Sequence, residues 1–186
     1  MEEMKDYSGP FKPDLKYEDF SKEFLIELMK VWQYFYLEMA SAWSEAVEKH
    51  VDTETATQCE KEAWVRVVKR SFPRLAKKAN IELNTVLDSM KLMQLPPDNT
   101  VMMYPVGFEI KNENHVITTT KVCKGLEYWE KNNRMDRIEA MCHGTAEKEL
   151  NELYAANPKV KLKPIKLPPR ESPDEPACVW EWKLEE

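Results

Sequence analysis

The chain lacks any segment expected to enter a membrane and any export signal. No apolar run approaches the length that spans a bilayer. Residues 1–20 contain neither the basic nor the apolar region of a signal peptide. We therefore expect no membrane partner and a cytoplasmic location, where the four cysteines stay reduced.

The chain also lacks the short motifs of several enzyme and binding classes. It contains no GxGxxG, GxxxxGK[ST] or GxSxG, which disfavours dinucleotide enzymes, P-loop nucleotidases and serine hydrolases. Its three histidines do not form HExxH. The net charge of −6, with no concentrated basic patch, argues against nucleic acid as a partner.

What the chain does have is the composition of one globular domain. With 186 residues, 42% hydrophobic and 32% charged, it can bury a core without a disulfide or a metal. We expect a single domain over residues 1–186, made of an extended arm (1–17), a helical part (18–97) and a cysteine-bearing α+β part (98–186).

A long first helix is predicted from Ser21 to near His50. Residues at three- and four-residue spacing form one apolar stripe: Phe24, Leu25, Leu28, Met29, Trp32, Tyr36, Met39, Trp43 and Ala46/Val47. Ile26, Tyr34 and Leu37 lie off that stripe. We therefore expect the helix to pack centrally or against a second copy, as a homodimer.

Two further helices follow in the pattern. The second begins at Asp52 or Thr53, where a short polar side chain caps the free N–H groups. Pro73 is expected to kink or end it. The third begins with Asn84 as its cap and stops at the LPPDN stretch.

The period changes near residue 100. TVMMYPVGFEI and HVITTTKVC read as one β-hairpin, and VKLKPIKL and CVWEWKL read as a second strand pair. Helices lie between the two pairs. The fold class predicted is α+β: long N-terminal helices packed on a small antiparallel sheet made of two hairpins with helices between them.

Three of the four cysteines fall in this second half. Cys59 keeps step with Ala56 and Ala63, which predicts a small core residue. Cys123, Cys142 and Cys178 follow or begin elements that one fold can bring together. Convergence of three thiols on one site is stronger evidence of function than any single cysteine.

Cys142 allows two interpretations. If its helix is unbroken from Met135, the thiol points into the core. If the helix instead starts after Gly144, with Thr145 as cap, the thiol lies at a helix N-terminus that favours the thiolate. His143 is a candidate fourth ligand or base, although adjacent helical residues point about 100° apart.

The order of these motifs resembles a known family. Cys123, then AMCHGT, ANP, LPP and the closing CVWEW look like a family of small uncharacterised cytosolic proteins of anaerobic bacteria and archaea, similar to the L-2-amino-thiazoline-4-carboxylic acid hydrolases. The resemblance implies a site at Cys123, Cys142 and Cys178. Thr145 stands where those hydrolases have an acidic residue, and Cys178 is followed by Val179 instead of Asp.

Two functions of different classes follow. In the first, the protein is an enzyme, hydrolase-like, that acts on a small molecule. Cys123, Cys142 and Cys178 then hold zinc or an iron–sulfur cluster, or form a reactive-thiol site with Cys142 and His143 catalytic. In the second, it is a non-catalytic module that binds a small molecule or docks a partner, with structural cysteines and a pocket lined by aromatic residues of the helical part: Trp32, Tyr36, Trp43 and Trp64.

Overall fold

The computed structural model describes residues 3–97, 106–143 and 157–185. After a short 3-10 turn at Tyr17–Asp19 the helices and strands follow in chain order: α1 (Lys22–Glu48), α2 (Thr53–Ala79), α3 (Val86–Met93), β1 (Val106–Asn112), β2 (His115–Thr120), α4 (Lys124–Lys131), α5 (Met135–Ile138), a π-helical turn (Glu139–His143), β3 (Val160–Lys166) and β4 (Cys178–Leu184). In none of the described helices is the chain long and apolar enough to cross a membrane.

The chain divides into two compact units, Met1–Ala42 and Trp43–Glu186. In the first unit the arm returns onto itself: Met4 N–H donates to the Asp19 carbonyl and Ser21 N–H to the Met4 carbonyl, both at 2.8 Å. The predicted single domain stays a prediction. The cavity described below lies entirely in the second unit.

Local side-chain chemistry fixes the starts of α2 and α3. Asp52 accepts a hydrogen bond from Thr55 N–H at 2.9 Å. At α3 the cap is Thr85, one residue after the predicted Asn84, and it forms a reciprocal capping box with Asp88. α2 continues through Pro73 to Ala79, so the interpretation in which proline ends the helix is wrong.

The sheet is antiparallel throughout, in the order β1-β2-β4-β3. Both predicted hairpins form, and β4 joins them by pairing with β2 as well as with β3. The helices α4 and α5 come between the hairpins in the chain. The predicted α+β fold class is therefore confirmed.

Two clusters of buried side chains hold the second unit together. The main cluster joins α2, α3 and one face of the sheet: Val68, Phe72, Ala76, Val86, Met90, Leu92, Met93, Val116, Val160, Leu162 and Trp182. The thiol cluster is smaller and consists of Leu126, Ile138 and Ala177, with Cys123, Trp129 and Cys142 packed against it. The main cluster is the larger of the two, and the candidate site described below lies between them.

Candidate functional site

A cavity of about 250 Å³ lies between the two clusters. α3 supplies Met90 and Met93 from the main cluster, whereas Leu126 and Ala177 line it from the thiol cluster. Its sheet wall is one face of the pleat, because side chains two residues apart point the same way: Val106 and Phe108 of β1, Thr118 and Thr120 of β2, Leu162 of β3, and Cys178, Trp180 and Trp182 of β4.

The three cysteines predicted to converge all line this cavity. Cys178 opens β4 opposite Thr120, where Ala177 N–H donates to the Thr120 carbonyl at 2.8 Å. Cys123 follows Thr120 by three residues and is the residue that caps α4. Cys142 lies in the π-helical turn, an arrangement that neither sequence interpretation included.

Burial governs the protonation of these thiols. It raises the pKa of Cys142 to about 12, and the neighbouring Cys123 and Cys178 add to the increase. Burial also raises the pKa of Cys123. The N–H groups of Leu126 and Gly125 partly oppose that rise, although they make no cap hydrogen bond of normal geometry. At neutral pH Cys142 is therefore an uncharged thiol.

Sulfur is unusually abundant in the lining. Three thioethers join the three thiols, so that six sulfur-bearing side chains face one space: Met90, Met93, Met141, Cys123, Cys142 and Cys178. Sulfur is soft and polarizable and makes favourable contacts with aromatic rings. Trp180 and Trp182 line the same space. The wall is therefore suited to contact a planar, polarizable molecule.

No lining residue within the described ranges carries a charge. The polar groups are Gln94, Thr118 and Thr120, and the Thr118 hydroxyl accepts a hydrogen bond from Trp182 Nε1–H at 2.9 Å. A charged group placed here would lose its hydration without meeting an opposite charge. The described lining thus offers an ion no opposite charge.

The remaining predicted site residues lie elsewhere. Cys59 is exposed, so its assignment to the core is wrong: it lies beside buried Ala56 and Thr57 in sequence but outside their side of α2. A ring nitrogen of His143, Nε2, hydrogen-bonds the Pro168 carbonyl. His143 is absent from the cavity lining among the residues described, and its catalytic role stays a prediction.

The donors present do not support the predicted metal centre. Across residues 3–97, 106–143 and 157–185, no group of three or more His, Cys, Asp or Glu side chains is arranged to hold a metal ion. Zinc or an iron–sulfur cluster stays a prediction, and we derive no chemistry through it. The alternative helix start at Gly144 and Thr145 lies outside the described residues.

The predicted aromatic pocket of the helical part does not match this cavity either. Trp32 and Trp43 are exposed, and neither they nor Tyr36 and Trp64 line the cavity. The aromatic lining instead comes from the strands. The alternation of CVWEW contained this signal, since it places Cys178, Trp180 and Trp182 on one face.

A buried polar network anchors α5, which precedes the turn that carries Cys142, and no local sequence pattern predicts it. Arg137 of α5, 5% exposed, donates to Ser44 Oγ (2.8 Å), Thr57 Oγ1 (2.9 Å) and Glu60 Oε2 (2.6 Å). Its guanidinium lies 5.9 Å from the Trp129 ring centroid. Because Arg137 comes directly before Ile138 of the thiol cluster, the network holds α5 and the turn that carries Cys142.

Comparison with known proteins adds a family but no activity. Residues 18–184 match a family of unknown function, DUF6125. The chain belongs to that family. No curated protein and no solved structure matches it. The relation of the family to the thiazoline hydrolases therefore stays a prediction that rests on the sequence motifs alone.

Proposed function

We propose that this DUF6125 protein binds a small, uncharged, largely apolar molecule in the sulfur-lined cavity. The observation that supports the proposal best is a cavity with three thiols and no charged residue among its described lining. A buried carboxylate or ammonium without a partner is strongly disfavoured. A neutral ligand meets no such penalty, and it gains from burial against apolar side chains.

The size of the cavity limits the ligand. An engineered cavity of about 150 Å³ binds benzene, and this one measures about 250 Å³. In proportion, it accepts roughly ten non-hydrogen atoms. The amide of Gln94 and the hydroxyl of Thr120 offer hydrogen bonds that orient one polar group of such a ligand.

Indole and indole-2-carboxylate form a matched pair of probes. They share one ring system, and indole-2-carboxamide, which is uncharged and as large as the carboxylate, controls for the added size. We expect indole to bind with a Kd below about 1 mM, measured by isothermal titration, because a ligand of this size gains several tenths of a kcal/mol per non-hydrogen atom. The carboxylate should bind at least tenfold more weakly.

Ala177→Leu provides the test of location. Ala177 is buried and lines the cavity, so a leucine there fills the space and should abolish indole binding. Ala76→Leu is the matched control, because Ala76 is also buried but lies outside the lining. Indole binding that survives in Ala177→Leu, or equal binding of the carboxylate, would contradict the proposal.

A second candidate is thiol catalysis on a neutral substrate, as the predicted hydrolase-like enzyme requires. Burial raises the pKa of both thiols, and the N–H groups of Gly125 and Leu126 offset part of that rise at Cys123, whereas no such donors act on Cys142. We therefore assign Cys123, in place of Cys142, as the nucleophile of this alternative. Its sulfur would attack an ester carbonyl, so that a thioester forms, the C–O bond breaks and the thiol proton leaves with the alcohol; water would then hydrolyse the thioester, release the acid and restore the thiol.

4-Nitrophenyl acetate tests that alternative. Catalysis predicts a burst of 4-nitrophenolate that Cys123→Ser abolishes and Cys59→Ser leaves unchanged. The same burst in wild type and Cys123→Ser would refute a catalytic Cys123 and leave ligand binding as the function. Cys142→Ser should reduce the burst only if Cys142 is itself catalytic.

The four cysteines are all unpaired, which supports the proposed reducing cytoplasmic location.

A further inference from the structure

We propose that the outward side of α1 in the first unit binds a second copy of this chain. This surface, the α1 face, consists of five apolar or aromatic side chains that are between 45% and 62% exposed and lie on one side of the helix: Val31, Trp32, Tyr34, Phe35 and Met39. The inference is independent of the cavity, because the face lies wholly within residues 1–42.

The helix exposes several large apolar side chains while it buries one polar side chain. Gln33 is 6% exposed, although it is polar, whereas its neighbours Trp32 and Tyr34 are 45% and 59% exposed. A surface helix normally buries its apolar stripe and exposes its polar side. An apolar helix face that is exposed among the described residues is typical of a protein interface.

The exposed area is what a dimer requires. Large apolar and aromatic side chains have about 150–250 Å² each to bury, so five that are about half exposed provide roughly 500 Å² per copy. Two identical faces then bury roughly 1,000 Å² in total, which reaches the lower limit for a specific interface. A second copy supplies that area without any additional element.

The chemistry of the face also suits self-association. Aromatic residues and methionine are enriched in interface cores, and charged residues are depleted there. A twofold axis between Trp32 and Phe35 places each ring beside a ring of the partner copy, a contact worth about 0.5–1.5 kcal/mol. Exposed Glu38 is the charged side chain on this face, one turn after Tyr34, whereas Lys30 and Glu27 pair with each other at 2.6 Å.

Sedimentation equilibrium with the full chain tests the proposal. One chain has a mass of 21.9 kDa. We expect wild type to sediment at about twice that mass at micromolar concentration. Phe35→Glu should weaken association at least a hundredfold, since it places a charge at the centre of the interface. Phe11→Glu is the matched control: Phe11 is the most exposed aromatic side chain in the same unit, at 83%, and should leave the mass unchanged.

Circular dichroism measures the helix content of each variant, so that loss of the dimer can be distinguished from unfolding of α1. Phe35→Ala removes the aromatic ring without adding a charge. Because alanine is the best helix former, this variant should also weaken the dimer while retaining full helicity. A wild-type mass that stays near 21.9 kDa up to 100 μM overturns the proposal. So does a dimer that both Phe35 variants leave intact.

Discussion

The main cluster and the thiol cluster border the same cavity but are stabilised differently. The main cluster packs eleven buried apolar residues from two helices and the sheet, whereas the thiol cluster has three. Behind the smaller cluster, Arg137 makes three side-chain hydrogen bonds in a buried network. The difference indicates that hydrophobic burial maintains one wall, and that polar bracing maintains the wall that carries Cys123 and Cys142.

The largest expected effect concerns the thiols. A thiol with a pKa of about 12, as burial gives Cys142, is ionised about a thousandfold less at pH 8 than one near 9. We expect iodoacetamide to alkylate exposed Cys59 rapidly and Cys142 about a thousandfold more slowly, measured by peptide mass spectrometry. Comparable rates would show that the wall around Cys142 opens readily.

The same shift makes stability depend on alkaline pH. Because the pKa of Cys142 is raised in the folded state, the neutral thiol contributes stability fully below the ordinary thiol pKa of about 9. That contribution is lost as pH rises from about 9 towards about 12. Wild type should therefore lose more stability than Cys142→Ala over this range, in urea titrations at each pH.

Substituting one leucine in each wall by alanine compares how much each wall contributes to stability. Leu92 lies fully inside the main cluster, whereas Leu126 lines the cavity. We expect Leu92→Ala to lower the free energy of unfolding by about 4 kcal/mol and Leu126→Ala by about 2 kcal/mol, because Leu126 has empty space on one side and loses fewer contacts. Chemical denaturation measures both. Equal losses would mean that the cavity is filled or collapses in solution.

Arg137→Met tests the polar bracing. The substitution retains an apolar stem but leaves Glu60 without its cation, and we expect a loss of about 3 kcal/mol. Adding Glu60→Gln should then cost less than it does alone, in a double-mutant cycle. Arg70→Met, at an exposed position on α2, is the control and should change stability by under about 0.5 kcal/mol. A loss no larger than the control would exclude a bracing role for Arg137.

The sequence predicted those features that depend on local periodicity. Alternation in β4 correctly placed Cys178, Trp180 and Trp182 on one face, and the change of period near residue 100 correctly predicted the sheet. The spacing of the cysteines left their convergence open, since the pairing of Thr120 with Cys178 depends on the order of the strands.

Other features depend on what covers a surface, which periodicity does not encode. The stripe of α1 predicted a buried side containing Met29, Trp32, Met39 and Trp43, yet all four are exposed. Ile26 and Tyr34 are exposed as well, and Leu37 is half-buried. Ser44 is buried because Arg137, distant in sequence, hydrogen-bonds it. Such a pairing of distant polar residues leaves no pattern within one helix.

The central place of β4 in the sheet has a consequence for how the protein folds. Among the described strands β3 pairs with β4 alone, and β4 also joins β2 across more than fifty residues of chain. Sheet pairings between distant segments are slow to form, because the intervening chain must first be brought together. The hairpin of β1 and β2 can form early, but the strand order leaves it with an open edge until Cys178–Leu184 arrives. During synthesis, then, the cavity is among the last features to exist, and a chain arrested before Cys178 exposes unpaired backbone that invites aggregation.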